Sequence, residues 1–103
     1  IERELSSEIG LVQLRAGNAL IDLVAVDSTL GRIGGGPPTA SNNNMDHFCL
    51  QINPQPEKEI SDYLTSHGIK IGTFERRYGA QGFGSSAYLR DPEGNTVELR
   101  NRI

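Results

Sequence analysis

The chain has 103 residues, a formal net charge of −3, 12 glycines, one cysteine and no tryptophan. That length holds one domain with a core of moderate size, the acidic balance argues against nucleic acid as a partner, and no apolar run is long enough for a membrane span. The lone Cys49 leaves no internal disulfide and suits a reducing compartment, so a cytoplasmic domain of the α/β or α+β class is expected.

The chain opens at Ile1 and not at Met, so residues ahead of it are expected to have been removed or to lie outside this sequence. Residues 1–7 are short and polar, an edge strand or the tail of a helix. Leu11-Val12-Gln13-Leu14-Arg15 alternates apolar and polar and predicts a strand. Gly17-Asn18 predicts a two-residue hairpin turn, and the apolar run from Ala19 to Val26 predicts a central strand interrupted by Asp22. Such a turn sets Leu14 opposite Ile21 and Gln13 opposite Asp22. Val12, Leu14, Ile21 and Leu23 then share one face, and Gln13 and Asp22 share the other. An acid in an apolar central strand requires a partner.

Residues 31–44 read as a linker by composition, either a plain connector or a binding loop. Met45 to Ile52 alternates, with Phe48, Leu50 and Ile52 on one face and His47, Cys49 and Gln51 on the other. Cys49 is expected as a small buried hydrophobe. Pro54 and Pro56 end this strand and open a helix, whose first turn carries Glu57 and Glu59. Ile60, Tyr63, Leu64 and His67 form its apolar stripe, and Gly68 stops it. Ile69 to Arg77 predicts a strand, and the Gly-rich stretch from Tyr78 to Ser86 predicts turns.

The end of the chain is the most informative stretch. Asp91-Pro92-Glu93-Gly94 is a turn, because Pro92 presets φ and Gly94 tolerates φ above zero. A type I turn with a bulge at Gly94 sets Arg90 opposite Thr96, Leu89 opposite Val97 and Tyr88 opposite Glu98. Ala87, Leu89, Val97 and Leu99 then make a core face. Tyr88, Arg90, Thr96, Glu98 and Arg100 make a polar one, on which Arg100 is expected to be solvated. The earlier hairpin has the same reading, Leu-Arg, turn, Gly-Asn, apolar residues, acid, Leu, so Asp22 is the counterpart of Glu98 in an internal repeat. An imidazole and carboxylates on one sheet face are ligands for a divalent ion. Read singly, His47 is an ordinary hydrogen-bonded strand residue and Glu98 an ordinary solvated one.

Met45-Asp46-His47-Phe48-Cys49-Leu50, and the closing hairpin from Tyr88 to Leu99, resemble the glyoxalase/bleomycin-resistance/extradiol-dioxygenase superfamily, the vicinal-oxygen-chelate fold. The resemblance covers Leu11 to Arg100. It implies an α+β domain of paired βαβββ modules whose curved mixed sheets form a cleft. Residues 1–30 would be the remainder of an incomplete first module, residues 31–44 a linker and residues 45–103 the second module. It further implies His47, Glu98 and Asp22 as ligands of one divalent metal ion (Fe, Mn, Co, Ni or Zn), with Glu98 and Tyr88 catalytic and Arg90, Gln13 and Gln51 binding the substrate. Isomerase, lyase or dioxygenase chemistry on a small oxygen-chelating substrate would follow, with a homodimer covering the exposed edge of the incomplete module. The alternative within the same fold is a metal-free protein that binds a drug or metabolite. Three Tyr, three Phe and no Trp offer little for a stacking pocket.

Overall fold

A computed structural model describes residues 1–102. The chain divides into two units, Ile1–Asp46 and His47–Ile103. The class is α+β.

The first unit is an antiparallel sheet in the order β1-β2-β3, made of β1 (Arg3–Glu4), β2 (Leu11–Ala16) and β3 (Ala19–Val24), followed by the short helix α1 (Thr29–Ile33). Of the two readings of the opening residues, the edge strand holds. Gly17 takes φ 63°, as the hairpin turn requires, and the register sets Leu14 against Ile21 and Gln13 against Asp22, as expected. β3 is not the central strand predicted from its apolar content. It lies at the edge of the sheet, with Ile21 and Leu23 exposed. The start of the predicted linker is helical, because the Ser28 hydroxyl accepts from Gly31 N at 3.1 Å and caps α1. Gly31 lies so close to the Ala25 and Val26 carbonyls that no Cβ would fit. Residues 34–46 hold neither helix nor strand.

The second unit runs β4 (His47–Ile52), α2 (Glu57–Ser66), β5 (Glu75–Gly79), β6 (Gly82–Arg90) and β7 (Thr96–Asn101). Its sheet order is β4-β7-β6-β5, with β4 parallel to β7 and the other pairs antiparallel. A parallel pair needs a crossover connection, and the chain between β4 and β7, with α2 in it, provides one. Pro56 sits at the helix N-cap, Glu57 and Glu59 occupy the first turn, and Gly68 (φ 75°) turns the chain so that Ile69 N bonds to the Leu64 carbonyl. Only part of the predicted stripe faces inward. Ile60 is buried and Leu64 half-buried, whereas Tyr63 and His67 are exposed, with ring centroids 4.6 Å apart and planes tilted by 46°. No helix of the described residues is long and apolar enough to cross a membrane.

Two sequence expectations are corrected in β5 and β6. The stretch from Tyr78 to Ser86 is a β-hairpin, with Gly82 at φ 85° beside its turn. Gly79 and Gly84 serve another purpose: a Cβ at either would lie within 3.0 Å of the Arg100 guanidinium carbon. Arg100 is itself only 4% exposed, not solvated. Its Nη1 donates to the Arg77 carbonyl at 3.3 Å and its Nη2 to the Gly82 carbonyl at 2.5 Å.

The closing hairpin has the predicted register, Arg90 to Thr96, Leu89 to Val97 and Tyr88 to Glu98. Gly94 takes φ 86°, and the Asp91 carboxylate accepts from Glu93 N and Asn95 N at 3.0 and 2.8 Å. On the core face, Ala87 and Val97 are buried and Leu89 and Leu99 half-buried. Phe48 and Leu50, on the edge strand β4, remain exposed.

Asn101, 1% exposed, ties the loop after β4 to the end of β7. Its Oδ1 accepts from Gln55 N at 3.1 Å and its Nδ2 donates to the Gln55 carbonyl at 2.7 Å. Asn101→Ala strands both backbone groups and is expected to destabilise the protein by about 1–3 kcal/mol in urea unfolding. A loss below about 0.5 kcal/mol would mean that water replaces the amide without cost.

Candidate functional site

Side chains on paired positions of neighbouring strands point to the same face. The register of β4 on β7 and of β7 on β6 therefore puts His47, Cys49, Glu98, Arg100, Ser86 and Tyr88 on one face of the second unit's sheet. The pairing of β6 with β5 adds Arg77 and Glu75 to it.

Glu98 is the centre of this face. It is 8% exposed, and its Oε1 lies 3.1 Å from His47 Nε2. Burial pushes its carboxyl upward. Hydrogen bonds from His47 and Ser86, with the nearby charges of His47 and Arg77, outweigh burial and hold it below its ordinary 4.5. Tyr88 sets its ring edge-on to the His47 imidazole, with centroids 5.0 Å apart and planes at 87°. The Arg77 guanidinium lies 4.6 Å over the Tyr88 ring, donates to the Ser86 carbonyl and hydroxyl at 2.5 and 3.1 Å, and bonds Glu75 at 2.8 Å.

Cys49 is exposed rather than buried as expected. Its sulfur is nevertheless desolvated among its neighbours. That desolvation, and secondarily the charge of Glu98, push the thiol up to about 11, against a smaller opposing effect of Arg100. At neutral pH it is a thiol and not a thiolate, and thus a poor nucleophile.

Of the residues predicted for a site, the second unit brings together His47, Glu98 and Tyr88. Gln51, further along β4, hydrogen-bonds the Gln81 side chain beside the β5–β6 turn. Arg90 is exposed and donates to the Gly94 carbonyl of its own turn at 3.0 Å. Asp22 and Gln13 belong to the first unit, where the Gln13 amide donates to Asp22 at 3.0 Å and accepts from Arg3 at 3.2 Å. Asp22 is exposed, so the crowding by apolar neighbours read from its strand is absent, although the partner it was expected to need is there. Among the described residues no group of three or more His, Cys, Asp or Glu side chains is gathered as a metal cluster.

Ser86 and Arg77 were missed by sequence reasoning. Ser86 lies in a stretch read as turns and Arg77 at the end of a strand of unknown register. Once Tyr88 is set opposite Glu98, alternation along β6 places Ser86 on the same face. That signal was available.

The second unit is a β-α-β-β-β module, the module that the sequence resemblance implies, and its first and last strands lie side by side. The chain is similar to the solved structures of a glyoxalase family protein from Enterococcus faecalis, with 17% identity over 88% of this chain and 66% of that one at a TM-score of 0.46. It is also similar to an integron cassette protein from the mobile metagenome of V. cholerae, with 21% identity over 90% and 77% of the two chains at 0.47. A third similar structure is lactoylglutathione lyase from Agrobacterium tumefaciens, with 21% identity over 89% and 68% at 0.41. The chain thus spans just under two thirds of the first of these proteins, at 66% of its length. These likenesses are of general shape and decide nothing about the site. No family model and no curated protein matches the chain.

The lowered carboxyl of Glu98 has a consequence for acid stability. As pH falls, the unfolded chain takes up this proton first, so the stability that the ionised group contributes is complete above about 4.5 and is lost as pH drops through its lower folded value. Wild type is therefore expected to lose unfolding free energy more steeply than Glu98→Gln below pH 4.5. Parallel curves from urea melts between neutral and acid pH would refute this.

Proposed function

We propose that this protein is a glyoxalase-like, metal-dependent enzyme acting on a small oxygen-chelating substrate, with His47 and Glu98 as ligands of a divalent ion. The observation that supports this reading is the 3.1 Å contact between His47 Nε2 and Glu98 Oε1. Two ligand atoms each about 2.0–2.2 Å from one ion and at right angles are about 3 Å apart. The pair thus fits as neighbouring ligands, an imidazole and a carboxylate suited to Fe, Mn, Co, Ni or Zn. A bound divalent ion would supply Lewis acidity toward neighbouring substrate oxygens.

The chain's own groups supply the rest of the chemistry. Glu98, held ionised, accepts a proton from a substrate carbon or hydroxyl within reach of Oε1 and returns it to the neighbouring position. That step suits an isomerase or lyase. Tyr88 fixes the tilt of the His47 ring by its edge contact. Asp22, as a further ligand, and Gln13, Gln51 and Arg90, as substrate contacts, are proposals that rest on the family resemblance alone. The same reading makes the protein a homodimer, and the exposed Ile21, Leu23 and Val24 of β3 support it as apolar surface available for covering.

Calorimetric titration with Mn, Co, Ni and Zn tests the reading. Wild type is expected to take up one of these ions stoichiometrically, His47→Ala and Glu98→Gln are expected to abolish uptake, and Asp22→Asn is expected to weaken it less. Light scattering on the same samples is expected to give twice the chain mass, and a monomer would remove the dimer from the proposal. Because no larger cluster of ligand side chains is gathered among the described residues, the second reading is a metal-free protein that binds a drug or metabolite. No uptake by wild type would put that reading in first place.

A further inference from the structure

We propose that the substrate is an oxygen-chelating acid, and that Arg77 binds its carboxylate beside His47 and Glu98. This names a substrate class for the site read above and rests on that reading. Arg77 is in register with Gly84, yet its guanidinium lies 4.6 Å over the ring of Tyr88. The side chain therefore runs along the sheet face toward the working pair. The same Tyr88 ring meets the His47 imidazole, with centroids 5.0 Å apart. One ring thus separates the cation from the imidazole, and a short-chain acid is long enough to touch both.

Both ends of that span are open to solvent. The His47 side chain is 26% exposed and that of Arg77 25%. The other two arginines of this face are placed differently. Arg100 is buried on backbone carbonyls, and Arg90 donates into its own turn. A guanidinium has five N–H donors and keeps its charge at any working pH. Arg77 Nη1 donates to the Ser86 carbonyl and hydroxyl, which fixes the group in place, and Nη2 donates to Glu75 at 2.8 Å. Those bonds leave the Nε proton and one Nη2 proton for a further acceptor, and the contact with the Tyr88 ring consumes neither. Glu75 shows that this guanidinium takes a carboxylate, and its side chain is 65% exposed, so the ion pair is weak and readily displaced. The strands give this face two acids, Glu75 and Glu98, against Arg77, Arg90 and Arg100. A divalent ion would add to that positive excess, and an anionic substrate offsets it.

Malate and its β-amide test the proposal, because they are close in shape and differ by one charge at the carboxyl remote from the hydroxyl. Binding of each is followed by NMR of the histidine side chains in wild type, Arg77→Met, Arg77→Lys and Glu75→Gln, with and without zinc. Thermal melts confirm that each protein is folded. Wild type is expected to bind malate about 10-fold more tightly than the amide, with the His47 resonances displaced. Arg77→Met is expected to weaken malate alone and so bring the two affinities together, and Arg77→Lys to keep part of the preference. Glu75→Gln removes the competing carboxylate and is expected to tighten malate by about 2- to 5-fold. A wild type that binds no malate, or binds both probes equally, overturns the proposal. So does a preference that survives Arg77→Met, an equal loss of both probes in that variant, or binding that leaves the His47 resonances unmoved. If wild type takes up no zinc while the preference still depends on Arg77, the metal reading falls and the role of Arg77 stands. Should Arg77→Met fail to fold, Glu75→Gln decides, and malate binding that is unchanged or weaker there overturns the proposal.

Discussion

A carboxylate that has lost nearly all its water must be given donors, and the polar half of the second unit follows from meeting that demand at Glu98. What meets it comes from different strands: the imidazole from β4, at 3.1 Å, and the nearby charge of Arg77 from β5. None of them is close to Glu98 in sequence. Two residues further along β7, on the same face, Arg100 has the opposite requirement and is met by the Arg77 and Gly82 carbonyls. Two buried charges of opposite sign on one strand explain why β5 and β6 carry glycines where the guanidinium lies. A side chain at Gly79 or Gly84 would displace it.

The two hairpins show what pattern can and cannot convey. Their registers were legible because turn chemistry sets them: Gly17 and Gly94 each take the positive φ that a two-residue turn and a bulged turn demand. The acids at matching places were legible as well. Their surroundings were not. Asp22 is exposed with a side-chain amide for company, and Glu98 is buried beside an imidazole. A repeat in sequence fixes which way a side chain points along a strand. The number of strands on either side of it decides whether water is excluded, and β3 is an edge where β7 is central.

The other misreadings have the same origin. Glycine in a strand and glycine in a turn are identical in composition, so Tyr78 to Ser86 read as turns, although its glycines make room for Arg100. Arg100 read as solvated because an arginine on a polar strand face ordinarily is, and the carbonyls of Arg77 on β5 and of Gly82 at the start of β6 make its burial tolerable. The helical stripe over Ile60, Tyr63, Leu64 and His67 has the right period, yet Ile60 is buried while Tyr63 and His67 are exposed with their rings against each other. The candidate pair His47 and Glu98 was legible, since each lies on the polar face of an alternating strand. The presence of Arg77 and Ser86 on the same face was not, because it needs a hairpin that composition had disguised.

The parallel pairing of β4 with β7 also sets the order of events during synthesis. His47 and Glu98 are 51 residues apart, and the strand carrying Glu98 is the last of the unit. Closing so long a loop carries an entropic cost that contacts repay only once β5, β6 and β7 are all in place. A nascent chain exposes His47 well before Glu98 has left the ribosome, and until then the imidazole cannot meet it. The pair forms with the closure of the sheet and not before, so a partly synthesised or locally unfolded molecule carries the residues of the site without its arrangement.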